Sequence, residues 1–201
     1  MTPTTASRSA RERLLTAAGE LFYESGIAAT GVDAVLQRAG VSPATMYAHF
    51  AGKDGLVAAY LEERHHAWRA TWDEVLTELD DPVDRLLSLF DAVGRYRERE
   101  GNRRGCAFLA AATELPAGHP GHPWLRADSL LLTGRLRELA AAAGVDDPDE
   151  AAATLLLCYD GALARSAREW TTPDLGAADA VRRARDLAAA WLASHGRAAA
   201  T

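Results

Sequence analysis

Cysteine, aromatic residues and long apolar runs are all scarce in this 201-residue sequence. The two cysteines, Cys106 and Cys158, cannot supply a disulfide framework or a cysteine-rich zinc site, which predicts a protein of a reducing compartment. No apolar stretch approaches the roughly 18 residues of a membrane span, and the N-terminal residues lack the apolar segment of a signal peptide. These absences predict a soluble, cytoplasmic protein with no membrane partner.

The charge is unevenly distributed along the chain. The formal net charge is −6 at pH 7, yet the first 55 residues hold five basic and five acidic side chains. The rest of the chain, with 17 basic and 23 acidic residues, carries the whole deficit. A protein that coats nucleic acid along its entire surface is therefore excluded, whereas a local contact at the N-terminal end is permitted.

Strand signals are almost absent, and Ala, Leu, Arg and Glu dominate, which predicts an all-α protein. Cap residues followed by proline at Ser42-Pro43, Asp81-Pro82 and Asp147-Pro148 mark helix starts. Thr30 is placed to cap the second helix. Apolar periodicity and these signals predict nine helices, at about residues 9–24, 32–39, 43–50, 53–79, 81–101, 105–115, 124–143, 147–170 and 177–195.

The second and third predicted helices, joined by Gly40-Val41-Ser42, have the layout of a helix-turn-helix. In that motif the second helix lies in the major groove of DNA. Met46 and Phe50 are four residues apart and are expected to face the core. An αα-hairpin without a DNA partner has the same layout. Outward Tyr47 and His49 beside Lys53 favour DNA, because phosphates need hydrogen-bond donors.

Residues 14–56 resemble the DNA-binding domain of TetR-type transcriptional regulators. The resemblance rests on the run Ala-Ala-Gly-Glu-Leu-Phe at 17–22, Gly26, Thr30, the run Arg-Ala-Gly-Val-Ser at 38–42, the run Thr-Met-Tyr-Ala-His-Phe at 45–50, and Lys53-Asp54. It implies a DNA-binding domain over residues 1–54 and a larger helical domain for ligand binding and dimerisation over 55–201.

The resemblance also implies roles for individual residues. Thr30, Tyr47 and Lys53 are expected to hold phosphates. The recognition helix itself lacks a long amide or arginine, and Arg38, at the end of the preceding helix, is the nearest arginine and a candidate for a base contact. Contacts of Ala44 or Thr45 with thymine methyl groups are therefore more plausible than bidentate readout of guanine. The complete set expected to contact DNA is Thr30, Arg38, Ser42, Pro43, Ala44, Thr45, Tyr47, His49 and Lys53.

The larger domain has two candidate features. Aromatic side chains at helical spacing indicate either ordinary core or an apolar effector pocket, and Cys106 at a helix start is either a small buried side chain or a redox sensor. The candidate pocket residues are Trp68, Trp72, Phe90, Cys106, Phe108 and Trp124. Apolar stripes on the last two helices predict either packing within the subunit or a four-helix dimer interface. The candidate interface residues are Leu155, Leu156, Tyr159, Leu163, Leu187 and Trp191.

The function predicted from these features is a ligand-responsive regulator. It would act as a homodimeric repressor, released from a near-palindromic operator by a small apolar or aromatic effector, and it would need no cofactor. No metal site is predicted, because the two Glu-x-x-His patterns at 62–65 and 63–66 overlap on one helix. Two alternatives stay open: an all-α enzyme using Cys106 with His119 or His122, and a helical interaction module without DNA.

Overall fold

The computed structural model describes residues 8–100, 106–169 and 180–195, and within these ranges the regular elements are all α-helices. In chain order they are α1 (Ala10–Ser25), α2 (Val32–Ala39), α3 (Pro43–His49), α4 (Gly52–Thr77), α5 (Pro82–Glu100), α6 (Ala107–Glu114), α7 (His122–Ala142), α8 (Pro148–Glu169) and α9 (Ala180–His195). The chain is all-α, as its sequence predicts. None of the described helices has the length and apolar character that crossing a membrane requires.

The predicted helix starts and ends agree with the structure to within three residues wherever the structure describes them. The predicted boundaries at Gly101, Gly105, Trp170 and Ala177 lie outside the described residues. The cap of α2 is a correction, because Gly31 and not Thr30 occupies the N-cap position, without a side-chain hydrogen bond. Thr30 is the preceding residue, and its hydroxyl donates to the carbonyl oxygen of Gly26 at 2.7 Å.

Two compact units are present, and the first is built from two separate stretches of chain. It contains the described residues up to Arg64 together with residues 107–126. The core of this unit includes Leu14, Met46 and Leu61, which are fully buried. Ala111 of α6 is also fully buried in that core, and Phe108 packs against it. The sequence predicted a division at residue 54 and did not assign α6 to the N-terminal unit.

The second unit contains the rest of α4, α5, most of α7, α8 and α9. Its core includes Trp72, Phe90, Leu136 and Leu155, all with at most 2% of their surface exposed. The indole nitrogen of Trp72 donates to the hydroxyl of Ser88 at 2.8 Å, which satisfies its buried N–H. Helix α9 packs against both α8 and α5.

Candidate nucleic-acid interface and interior polar cluster

The turn between α2 and α3 has the geometry of a helix-turn-helix. Gly40 ends α2 in the left-handed conformation, with φ of 63°, and the Val41 N–H donates to the Leu36 carbonyl at 3.2 Å. Glycine adopts this backbone conformation without the steric cost of a side chain. Ser42 then caps α3 by accepting a hydrogen bond from the Thr45 N–H, and Pro43 occupies the first helical turn.

Helix α3 has one buried and one exposed face. Met46 is fully buried and Phe50, directly after the helix, is 6% exposed, so the prediction that both face the core is confirmed. The exposed residues of the segment are Pro43, Ala44, Tyr47, Ala48 and His49. The exposed face carries no acidic group, and a surface without carboxylates can approach a polyanion without like-charge repulsion.

Ser42 and Thr45 form a small hydroxyl pair at the start of α3. Their side-chain oxygens lie 2.9 Å apart, and the Ser42 oxygen also accepts from the Thr45 backbone N–H. Since each hydroxyl has one proton and two lone pairs, the pair retains further hydrogen-bonding capacity. Thr45 is half-buried and Ser42 is exposed.

Tyr47 and Lys53 differ in how strongly the rest of the protein restrains their side chains. Tyr47 is 63% exposed. The ammonium group of Lys53 donates to the Ala28 carbonyl in the loop between α1 and α2, at 3.2 Å. An ammonium has three N–H donors, so this hydrogen bond orients the Lys53 side chain and leaves donors for another acceptor.

Thr30 and Arg38 are both engaged within the protein. Thr30 is only 4% exposed, and its hydroxyl lies within hydrogen-bonding distance of two carbonyl oxygens, that of Gly26 at 2.7 Å and that of Leu21 at 3.2 Å. The phosphate contact expected for Thr30 stays a prediction. Arg38 pairs with Glu20 at 2.8 Å and with Glu24 at 3.8 Å. Such exposed ion pairs are weak, so the base contact of Arg38 stays a prediction.

Arg11 was not assigned a role from the sequence. Its guanidinium lies 5.6 Å from the centroid of the Phe50 ring, which places a positive charge of α1 beside the end of α3. Nothing in the periodicity of α1 distinguishes Arg11 from Arg13, whose Nε donates to the Ala39 carbonyl at 3.1 Å.

The segment around α6 makes polar contacts with the N-terminal helices. A carboxylate oxygen of Glu114 accepts from the Ala28 N–H at 2.6 Å. The Nδ1 atom of His119 accepts from the Gly121 N–H, so its other nitrogen carries the proton and faces a carboxylate oxygen of Asp54 at 3.4 Å. His122 contacts the Pro116 carbonyl through Nε2 at 2.9 Å. Both histidines thus have structural contacts, which gives no support to a catalytic role.

The residues predicted for an effector pocket divide into two groups. Trp68, Trp72 and Phe90 are buried in the core of the second unit, and Cys106 is partly buried against it. Phe108 and Trp124 pack against the core of the first unit. The two groups therefore belong to different cores, and a pocket shared by all six residues stays a prediction.

A polar pair that the sequence analysis did not single out lies inside the second unit. His65 of α4 and Asp128 of α7 are 7% and 6% exposed, and His65 Nδ1 is 3.8 Å from Asp128 Oδ1. Burial, together with the charge of Asp160, raises the pKa of Asp128 to about 7. Burial also lowers the pKa of His65. Both shifts favour the uncharged form of each group.

A cluster of aromatic rings includes Tyr159, which interacts electrostatically with Asp128. Trp68 lies one helical turn after His65, and its ring centroid is 5.7 Å from that of Tyr96 and 6.2 Å from that of Tyr159. The apolar stripes contained a signal for the cluster, because Asp128 precedes Leu132 and Leu136 at four-residue steps and so occupies a position on the buried face of α7.

Three of the six residues predicted for a dimer interface lie in the protomer core. Leu155, Tyr159 and Leu163 are at most 6% exposed, because they face inward from α8. This corrects their assignment, since a side chain covered by its own subunit has no surface left for a partner. Leu187 is 66% exposed, and Leu156 and Trp191 are partly buried. Leu157, which was not among the six, is 75% exposed.

The capped turn and the exposed face of α3 define a helix-turn-helix DNA-binding protein. Residues 14–60 match the sequence model of the family described as bacterial regulatory proteins, tetR family. The transcriptional regulator TcmR of Streptomyces glaucescens is 31% identical over 168 residues, which are 81% of this chain and 74% of TcmR. The transcriptional activator FasR of Mycolicibacterium smegmatis is 46% identical over 90 residues, which are 45% of this chain and 41% of FasR.

Solved structures agree with these relatives. The crystal structure of a TetR-family transcriptional regulator from Streptomyces coelicolor has a TM-score of 0.82 at 28% identity, and the match covers 94% of this chain and 96% of that one. A TetR-type regulator from Streptomyces avermitilis gives 0.76 at 33% identity, over 94% and 98% of the two chains. The chain belongs to the TetR family. It is a DNA-binding transcriptional regulator and not an enzyme.

Proposed function

We propose that this protein is a cytoplasmic, homodimeric repressor that leaves a near-palindromic operator when a small apolar or aromatic effector binds. The observation that carries the proposal is the exposed, acid-free face of α3, held by the Gly40 turn and the Ser42 cap. A helix presented in this way reads one half-site, and two copies related by a two-fold axis read both halves of a palindrome.

The proposed contacts with DNA fall into two kinds. Tyr47 and Lys53 bind phosphates, because one is well exposed and the other retains donors after its hydrogen bond to Ala28. Phosphate contacts fix the position of the protein without reading sequence. The base edges meet the first turns of α3, through Ser42, Pro43, Ala44, Thr45 and His49, with Arg38 as a further candidate.

The effector is proposed to bind in the interior of the second unit, beside Trp68. That region combines buried aromatic rings with a few polar groups, which is the composition of small-molecule sites. The effector would favour a conformation that misfits the operator, and by linkage the operator would weaken effector binding by the same factor. FasR is named an activator, so the direction of regulation is tested separately with a reporter gene controlled by the operator.

Phosphate contacts and base contacts are separated by measuring DNA binding at several salt concentrations. The DNA is taken from the region flanking the protein's own gene, with operator variants. Lys53→Ala is expected to weaken binding to all variants about equally and to reduce the salt slope by about one. Thr45→Ala is expected to lose discrimination at one base pair per half-site, by about 1–3 kcal/mol.

The matched control is Arg137→Ala, which removes a positive charge from an exposed position on α7, away from the proposed DNA and dimer surfaces. It should leave affinity and salt slope unchanged. Wild-type affinity and slope in Lys53→Ala would contradict the phosphate contact, and a uniform loss in Thr45→Ala would contradict base reading by Thr45.

A further inference from the structure

Asp128 is a buried carboxyl group that lacks a hydrogen-bond partner at one oxygen. Its side chain is 9% exposed, and Oδ1 has no hydrogen-bond donor among the residues that the structure describes. The indole N–H of Trp68, which is 5% exposed, likewise has no acceptor there. Buried polar atoms are nearly always paired, and the exceptions call for a functional explanation such as a ligand.

The neighbouring charge that acts on Asp128 is the negative charge of Asp160. Asp160 of α8 adds its charge to the effect of burial, and no described cation lowers the pKa of Asp128. His65 is the nearest basic group, but burial and the neighbouring charges of His66 and Arg69 lower its pKa and keep it neutral near pH 7. His65 and Asp160 therefore supply no positive charge that would balance an ionised Asp128.

Tyr159 lies within electrostatic range of Asp128, because the charge of Asp128 contributes to the raised pKa of Tyr159. His65 and Trp68 are three residues apart and so lie on the same side of α4. The Trp68 ring stands edge-on to Tyr96, with an interplanar angle of 88°, and is tilted by 36° to Tyr159. Aromatic faces attract cations, and the attraction is stronger where water is excluded.

We propose that Asp128, together with the rings of Trp68, Tyr96 and Tyr159, forms a subsite for the positive charge of a lipophilic organic cation, a protonated amine or quaternary ammonium on an aromatic or apolar body. As an effector site this rests on the proposed function, whereas the binding preference itself does not. A proton neutralises Asp128 below about pH 7. A bound cation can replace that proton and pair with the carboxylate, whereas a neutral ligand cannot.

The test is calorimetric titration of the full-length protein with two probes of the same shape. Benzyltrimethylammonium carries the charge, and neopentylbenzene replaces its nitrogen by carbon. The cation is expected to bind at least tenfold more tightly than the hydrocarbon. Asp128→Asn should abolish this preference, whereas Asp146→Asn, the same change at an exposed position before α8, should keep it.

The pH dependence gives a second readout. Because the cation binds the carboxylate, its affinity should rise about tenfold per pH unit up to about pH 7 and then level off. Asp160→Asn should shift this midpoint to lower pH, and Asp128→Asn should remove it. The other titratable or charged groups that act on the cluster include His65, His66 and Arg69 on α4, Arg97 on α5, Cys106, and Tyr159 on α8.

The outcomes separate the subsite from the regulatory function. Equal binding of the two probes, absence of cation binding at millimolar concentration, or an unchanged preference in a folded Asp128→Asn variant would each overturn the subsite. A melting curve establishes that the variant is folded. Binding of operator DNA is measured separately: if the cation preference is present but no operator is bound, the proposed function fails and the subsite stands.

Discussion

The side chain of Asp128 couples the stability of the fold to pH. Its pKa of about 7 in the folded protein compares with an ordinary value of 3.8, because burial disfavours the charged form. Between these two values the unfolded chain has lost the proton that the folded chain keeps. Folding is therefore opposed increasingly as the pH rises, and the effect is complete above about pH 7.

Asp128→Asn should reveal this coupling. We compare the unfolding free energy of the wild type with that of the variant at each pH. From pH 4 to pH 8 the wild type is expected to lose about 4 kcal/mol relative to the variant, which corresponds to the difference between the ordinary and the folded pKa of Asp128. Burial lowers the pKa of His65, so below its ordinary pKa of 6.5 this residue makes the fold more stable as the pH rises. His65 is present in both the wild type and the variant, so its contribution is common to the two. Urea unfolding across this range provides the measurement, and a pH-independent difference would contradict the burial of an ionisable Asp128.

Residue roles were predicted best where they depend on local chain geometry. The Ser42 cap, the Gly40 turn and the inward direction of Met46 follow from short-range rules, and the structure contains all three. Thr30 shows the limit of such rules. Its position before α2 suggests a cap or a phosphate ligand, but its hydroxyl bonds to Gly26 at the end of α1. A sequence pattern does not specify which nearby group a side-chain hydroxyl forms its hydrogen bond with.

Among the elements, α6 has a larger structural role than its eight residues suggest. Through Ala111 it completes the core of the first unit, and through Glu114 it holds the backbone of the loop between α1 and α2. The same loop receives the ammonium group of Lys53 at the Ala28 carbonyl. The peptide segment around Ala28 is thus held by two charged side chains, both of which come from later in the sequence.

Glu114→Ala should lower the unfolding free energy by about 1 kcal/mol, because it removes the acceptor of the Ala28 N–H. Glu114→Gln should lose less, since its side-chain carbonyl can still accept. The exposed Glu138→Ala on α7 serves as the control and should change little. Chemical denaturation measures all three, and equal stability of the two alanine variants would show that the hydrogen bond contributes nothing.

Helix boundaries could be predicted closely because caps, prolines and glycines mark them locally. The membership of α6 in the first unit could not, because it depends on packing between residues more than 40 positions apart. The same holds for the interior cluster. The stripe of α7 places Asp128 on a buried face, but only the fold shows that His65 of α4 meets it there. The aromatic residues suggested a pocket but not its polar partner.

At the scale of the whole molecule, the exposed side of α8 and α9 is the proposed dimer surface. Leu157 and Leu187 are large apolar side chains that the subunit leaves uncovered. Isolated exposed apolar residues are common on protein surfaces. Two of them on the adjacent helices α8 and α9 are better explained by a two-fold interface of the four-helix type.

Leu187→Glu should therefore yield a monomer that keeps its helical content and loses operator binding. Leu130→Glu, an equally exposed leucine on α7, is the control and should remain dimeric. Leu163→Glu should instead unfold the chain, because it buries a charge in the core at a cost of several kcal/mol. Sedimentation and circular dichroism distinguish these results, and a dimeric Leu187→Glu variant would place the interface elsewhere.

The split construction of the first unit has a consequence for folding. Its core needs Ala111, so it cannot be completed until the chain has been synthesised beyond the N-terminal helices and through the intervening α5. Closing such a long excursion costs chain entropy before any contact is gained. A fragment that ends at residue 64 would expose the surface that α6 covers, and exposed apolar surface promotes aggregation. The DNA-reading part of this protein is consequently not expected to fold as a detachable module, because during synthesis it emerges before the α6 residues that complete its core.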